Sequence, residues 1–349
     1  MCQDIVEELL ERPVQQGVSK LLHDTHELRP VSGNYSKECG LNILSFFRGN
    51  EVYTFQPLLG SGPYDESLLK KTLAHGLPIV FCEDSFLRAA TVFWDFSVPA
   101  LLRQSVSLSC DSQGLYFDAT RPTNIENIIK HYKVSPKEID TAQRLIEKIV
   151  SNKISKYNNQ PLACPRLPGS MSRDKVLVID QDKGDASIRL GMASDATFEA
   201  MLMAAADENP NADILVKTHP DSLVKGGRIG NLANIPDSDR IHKITFPVNP
   251  YTILDQVSKV YVCTSTFGFE ALLCGKPVSV FGMPWYAGWG VTEDRQSNPR
   301  RGLKKTVREL FYDFYVRYSR YANPHTNEPC SIDEAINQLL HFRGKLLRK

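Results

Sequence analysis

From Lys175 to Phe281 the chain alternates short apolar runs with stretches of helical period, and this alternation limits its possible folds more than any other feature. The strand-like runs are Lys175–Asp180, Asp213–Lys217, Lys259–Thr264 and Pro277–Phe281, and helical segments are expected near Asp195–Ala206 and Gly268–Cys274. Unbroken apolar runs suit strands covered on both faces, and strand–helix alternation builds parallel sheets. The spacing therefore predicts an α/β architecture with a parallel, doubly wound sheet in this half of the chain.

A looser βαβ pattern precedes it. Asn42–Phe47 and Leu77–Cys82 read as strands and Asp65–His75 as the helix between them, while residues 3–28 read as two short helices interrupted by Pro13 and Gly17. The polar, proline-bearing stretch Ser151–Lys175 reads as a linker. A chain of 349 residues is longer than one core usually fills. Two Rossmann-like domains are expected, 1–165 and 166–349, with the last helices packing back on the first.

Ligands of open α/β sheets bind beyond the carboxyl ends of the strands. Four such ends carry polar or glycine-rich sequence. The first is Gln181-Asp182-Lys183-Gly184-Asp185-Ala186-Ser187, where Asp185 is either a reactive carboxylate or, with Ser187, a helix cap. The second is Lys217-Thr218-His219-Pro220-Asp221: Pro220 holds the preceding residue extended and so directs His219, and lysine with histidine can neutralise a phosphate. In the third, Ser265 and Thr266 precede a helix that begins at Gly268, whose N–H groups and dipole favour an anion. Glu270, one turn on, can accept both hydroxyls of a ribose or simply complement the helix dipole. The fourth, Gly282–Gly290, is dense in glycine and aromatic residues and reads as a site wall or as packing. Asp180-Gln181-Asp182 spaces two carboxylates as a metal-holding triplet would, but Asp180 ends a strand and such triplets are common, so no metal is expected.

Composition excludes several classes. Basic and acidic residues number 41 and 40, giving no net field that would draw the chain onto nucleic acid. No basic-then-apolar leader opens the sequence, and no run approaches the roughly 18 apolar residues of a spanning helix, so a cytoplasmic location is expected. The eight cysteines are scattered without a CxxC pair, which suits free thiols in a reducing compartment.

These motifs resemble the capsule polysaccharide biosynthesis family. The run Asp180–Ser187, Lys217–Asp221, Thr264–Pro277, Phe281–Gly290, Arg300-Arg301 and Tyr321–Cys330 carry the resemblance, and Gly76-Leu77-Pro78, Glu83–Arg88 and Asp111–Ala119 are similar to the family's acceptor-side pattern. Its KpsC-like members are β-Kdo transferases, many with two tandem modules, and this chain has room for one.

The resemblance implies a GT-B fold, in which two Rossmann-like domains face each other across a cleft. It also implies CMP-Kdo as donor, retention at the anomeric carbon, no metal or other cofactor, and a Kdo-bearing glycolipid or glycan acceptor at the inner face of the bacterial inner membrane. Asp185 would then be the nucleophile, and Glu83 or Asp84 from the other domain would activate the acceptor hydroxyl. An alternative for that acidic pair is an ion pair with Arg88. Gln181, Ser187, Lys217, His219, Pro220, Ser265, Thr266, Gly268 and Glu270 would bind the donor, and Arg88 would fork onto the sugar carboxylate or acceptor. The basic residues Arg295, Arg300, Arg301, Lys304, Lys305 and Arg308 read as a face toward an anionic membrane or as a solvated surface. Rival readings are another CMP-sugar enzyme, such as a sialyltransferase, and a non-catalytic capsule assembly protein on the same fold.

Overall fold

The computed structural model describes residues 52–55, 79–92, 95–223, 227–236, 238–326 and 328–347. The helices expected within 3–28, the strand at Asn42–Phe47, the helix at Asp65–His75 and the Gly76-Leu77-Pro78 motif lie outside those residues. The chain forms two compact units. The described residues up to Tyr116, Thr123–Asn159 and those from Phe311 onward make the first, and Phe117–Pro122 with Gln160–Leu310 make the second.

The first unit begins with β1 (Val52–Phe55) and β2 (Ile79–Asp84), which pair in parallel. After the short α1 (Ala100–Arg103), β3 (Ser107–Asp111) runs antiparallel to β2, so the described sheet is mixed. Helix α2 (Asn124–His131) is capped by Thr123, whose hydroxyl accepts the Glu126 N–H at 3.3 Å. Helix α3 (Pro136–Ser151) opens on a proline, which has no N–H to satisfy, and the Glu138 carboxylate accepts the N–H and O–H of Ser135.

The second unit holds a six-stranded sheet of β4 (Lys175–Ile179), β5 (Asp213–Lys217), β6 (Ile241–Ile244), β7 (Lys259–Val262), β8 (Val278–Val280) and β9 (Glu293–Asp294). Every neighbouring pair is parallel, in the order β6-β5-β4-β7-β8-β9. That is the doubly wound order, as the alternation predicted. Val176, Leu177, Val178, Ile214, Leu215, Val260 and Val262 are sealed from solvent, which is why their strands read as plain apolar runs. Helix α4 (Ala186–Leu190) follows β4, and α5 (Asp195–Glu208) packs Phe198, Met201 and Ala205 onto the sheet. Helices α6 (Pro250–Leu254), α7 (Phe267–Leu273) and α8 (Val307–Phe311) follow in order.

Beyond α8 the chain widens into a π-helical stretch, Tyr312–Tyr318, and rejoins the first unit. There β10 (Ser319–Tyr321) pairs antiparallel with β3, and α9 (Ile332–Leu346) opens on a capping box between Ser331 and Glu334. Phe86, Tyr116, Phe314 and Tyr315 stack into an aromatic core there. The buried Asp111 carboxylate accepts the N–H groups of Gln113, Gly114 and Asn124 and the Tyr318 hydroxyl, tying the end of β3 to α2 and to the returning segment. Burial pushes this carboxyl up to about 6 against the pull of those four donors.

Candidate functional site

In the order β6-β5-β4-β7-β8-β9 the crossovers reverse direction between β4 and β7, and at such a switch point the loops diverge and leave a crevice. The loops after these two strands are joined there by Gln181 and Thr264. Gln181 Nε2 donates to Thr264 Oγ1 at 2.9 Å, and Gln181 Oε1 accepts the Thr264 N–H at 3.0 Å. Both residues are buried. Ser187 joins the same network, its Oγ lying 3.3 Å from both Gln181 Nε2 and Thr264 Oγ1. Gln181 and Ser187 were expected at the site; Thr264 was not singled out, although its hydroxyl closes the network.

Asp185 is the N-cap of α4. Its Oδ1 accepts the Ser187 N–H at 2.8 Å and the Ser187 O–H at 2.6 Å, so the capping role considered for this residue is realised. A cap uses one face of a carboxylate, and Asp185 remains only half-buried. The turn that presents it needs Gly184, whose φ of +76° falls in the left-handed region.

Lys217, at the end of β5, is buried, with its ammonium 3.4 Å from the Thr218 carbonyl and 5.9 Å from the centre of the Phe267 ring. Burial pushes it down from 10.5 to about 8, against an opposing pull from Glu270. His219 follows, and Pro220 begins a single 3₁₀ turn, Pro220–Leu223. His219 Nδ1 stands 3.1 Å from Asp182 Oδ2. Asp180 and Asp182 do not act as a pair: Asp180 Oδ1 accepts the N–H groups of Gln181 and Leu232, while Asp182 serves His219 and Ser222.

The loop after β7 departs from expectation in one respect. The first N–H groups of α7 are satisfied locally: Phe267 donates to Ser265 Oγ, Gly268 to the Ser265 carbonyl, and Phe269 and Glu270 to the Thr266 carbonyl. An anion there must rely on side chains rather than on an open helix terminus. Gly268 has a steric role, since a Cβ would collide with the Tyr286 hydroxyl, which itself donates to the Ser265 carbonyl at 2.6 Å. Ser265 and Thr266 stay half-buried, whereas Glu270 is buried beside Lys217. Met283, Trp285, Tyr286 and Trp289 are sealed, so the fourth loop is packing.

Glu83, Asp84 and Arg88 belong to the first unit. Glu83 Oε1 accepts the Asp84 N–H at 3.2 Å, and Arg88 Nε donates to Asp84 Oδ2 at 2.5 Å. Arg88 is 0% exposed, so the guanidinium expected to receive a sugar carboxylate is instead closed in on Asp84, the ion-pair alternative. Replacing Arg88 with methionine strands the Asp84 charge and should cost about 3–5 kcal/mol in chemical denaturation, with Asp84→Asn in the same chain recovering part of it. A loss below 1 kcal/mol would contradict the buried pair.

The basic stretch is similarly absorbed. Arg295 pairs with Glu208, Arg300 donates to the carbonyls of Ala119 and Arg121, and Arg301 is buried on the carbonyls of Pro284 and Ala287. These three guanidinia tie segments of the second unit together rather than forming an open cationic face; Lys304 and Arg308 are exposed. Among the described residues no helix is long and apolar enough to cross a membrane, and no group of three His, Cys, Asp or Glu side chains is placed to hold a metal.

Comparison with known proteins places this arrangement. The LipA capsule polysaccharide modification protein of Neisseria meningitidis serogroup B is 39% identical over 285 residues, covering 78% of this chain and 39% of LipA. The lipopolysaccharide-processing protein LpsZ of Rhizobium meliloti is 37% identical over 267 residues, covering 75% of this chain and 59% of LpsZ. The chain thus spans about two fifths of LipA and three fifths of LpsZ. Among solved structures, the β-Kdo 2,4 transferase of Thermosulfurimonas dismutans KpsC superposes with a TM-score of 0.75 at 37% identity, over 83% of this chain and 87% of that one. The β-Kdo 2,7 transferase of the same KpsC gives 0.60 at 28% identity, over 86% and 100%. With its α/β folding pattern shared with these structures and residues 63–321 matching the family model described as capsule polysaccharide biosynthesis protein, the chain belongs to that family.

Proposed function

We propose that this chain is a glycosyltransferase of GT-B type that moves Kdo from CMP-Kdo to a Kdo-bearing glycolipid or glycan during capsule polysaccharide synthesis, with retention of configuration. The observation that carries the reading is the joined switch point. Gln181, Ser187 and Thr264 join the segments that follow β4 and β7, the Asp185 carboxylate is part of the same network, and a buried ammonium stands at the end of the adjacent β5. The likeness to two KpsC β-Kdo transferases supports the choice of sugar.

Retention by double displacement needs a carboxylate to attack the anomeric carbon from the side opposite the leaving CMP, and an acid–base group to deprotonate the acceptor. Asp185 takes the first role, held in one rotamer by Ser187. Of the acidic pair, Glu83 takes the second, because Asp84 is committed to Arg88. Lys217 and His219, aimed by Pro220, neutralise the CMP phosphate as it departs, with the Ser265 and Thr266 hydroxyls as further donors and Gly268 keeping that turn close to Tyr286. Glu270 is assigned to the ribose hydroxyls. No metal or other cofactor enters this scheme. Peripheral contact with the inner membrane, through a glycolipid acceptor, belongs to the same proposal.

A mixture of CMP-Kdo and CMP-sialic acid with a short Kdo-terminated acceptor tests the donor. Kdo extension with no sialylation is expected. Sialylation at a comparable rate would favour the other CMP-sugar reading, and no transfer from either donor would favour a non-catalytic role.

A further inference from the structure

We propose that Asp182 is a positioning residue, which fixes the tautomer and direction of His219 and locks it to the loop that carries Asp185. The inference rests on the donor-binding reading of His219 given above.

Three observations carry it. Asp182 is 2% exposed, and a carboxylate withdrawn that far from water needs partners for its oxygens. Oδ2 stands 3.1 Å from His219 Nδ1 and Oδ1 accepts the Ser222 hydroxyl at 2.9 Å, so partners from the end of β5 and the following 3₁₀ turn occupy both oxygens. Arg228 adds electrostatic support from a third segment, and together these interactions hold the Asp182 carboxyl below its ordinary range against the cost of burial. The main chain of Asp182 supplies the other half of the link: its carbonyl accepts the Asp185 N–H at 3.2 Å, and the adjoining Lys183 N–H donates to the Ile229 carbonyl at 2.9 Å. One residue therefore sets both the turn that presents the carboxylate and the ring that would meet the phosphate.

The chemistry follows from the two imidazole nitrogens. A carboxylate on Nδ1 fixes one proton there, and a second proton taken up on Nε2 as an anion binds makes that nitrogen the N–H donor that addresses it. The His219 side chain is 34% exposed, so a ligand can reach it, while Asp182 beneath it is closed off. An anion arriving at Nε2 meets a ring already turned toward it, and no rotamer search is needed at that moment. Within the Asp180-Gln181-Asp182 triplet, Asp182 alone thus works through histidine orientation.

The test uses the full chain with ¹⁵N-labelled histidine, in four forms: wild type, Asp182→Ala, Asp182→Asn and His219→Asn. Imidazole ¹⁵N shifts read the tautomer directly, and equilibrium binding of CMP reads the consequence. The wild type should keep His219 protonated at Nδ1 in the free chain and at both nitrogens when CMP is bound. Asp182→Ala should release it into a mixture and weaken CMP about tenfold, the loss expected for one aligned, charge-assisted hydrogen bond. Asp182→Asn, whose amide can still accept from Nδ1 and donate to Ser222, should restore the tautomer and most of the affinity. A wild-type tautomer in Asp182→Ala, or CMP affinity within twofold of wild type in that variant, overturns the proposal. The donor reading has a separate readout: if His219→Asn leaves CMP affinity unchanged, that reading fails, whereas the ¹⁵N shifts still decide whether Asp182 orients the ring.

Discussion

Asp185→Asn should lower Kdo transfer by at least about a thousandfold while leaving CMP affinity and thermal stability close to wild type. The structure makes asparagine the sharper substitution. Asp185 caps α4 through Oδ1, which accepts from the Ser187 N–H and O–H. Asparagine caps a helix about as well as aspartate, so the local fold is kept while the carboxylate charge is removed. Asp185→Ala removes both and should cost roughly 1 kcal/mol of stability in addition to the activity. Transfer by Asp185→Asn within tenfold of wild type would reduce Asp185 to its capping role. Loss of stability with activity in the asparagine variant would mean that a perturbed fold, rather than missing chemistry, explained the result.

Lys217→Met should weaken CMP binding between about ten- and a hundredfold and, at the same time, stabilise the protein at neutral pH. The two effects share one cause. Burial holds the Lys217 ammonium down to about 8 instead of 10.5, with Glu270 the opposing influence. Because the unfolded chain keeps the proton through that window and the folded chain does not, wild-type stability rises with pH between about 8 and 10.5. Below about 8 the folded protein carries the buried charge at a cost of about 3 kcal/mol, which methionine abolishes. In the wild type, CMP affinity should fall as pH rises through about 8, since the neutral amine no longer attracts a phosphate. Calorimetric binding from pH 6.5 to 9.5 and denaturation of both proteins check the pair of effects. A pH-independent affinity, or a destabilised methionine variant, would contradict this placement of Lys217.

How far the sequence disclosed this arrangement depended on the kind of burial involved. β4 and β5 were legible almost to the residue because their side chains are covered on both faces, leaving plain apolar runs at Lys175–Ile179 and Asp213–Lys217. β6, Ile241–Ile244, escaped notice because Ile-His-Lys-Ile on the sheet edge has no such run, and β9 is only two residues long. β3 hides buried serines and Asp111 among its apolar positions, so its pattern resembles a polar loop.

The candidate site divides along similar lines. Gln181, Asp185, Ser187, Lys217, His219, Ser265 and Thr266 could be picked out because strand ends are where a doubly wound sheet exposes chemistry. Their pairings could not. That Thr264 bonds Gln181, and that Asp182 holds His219, depends on which loops the strand order brings together. Arg88 reads as a ligand fork only until its burial on Asp84 is known. The basic residues Arg300 and Arg301 read as an open face only until the carbonyls they bind are known.

The most direct test of the account is the intact mass of the full chain incubated with CMP-Kdo in the absence of acceptor, with Glu83→Gln included to slow turnover of the intermediate. A species one Kdo heavier, mapped by peptide fragmentation to Asp185 and missing from Asp185→Asn, is the predicted result. CMP release with no adduct in Glu83→Gln, or an adduct that persists in Asp185→Asn, would contradict it.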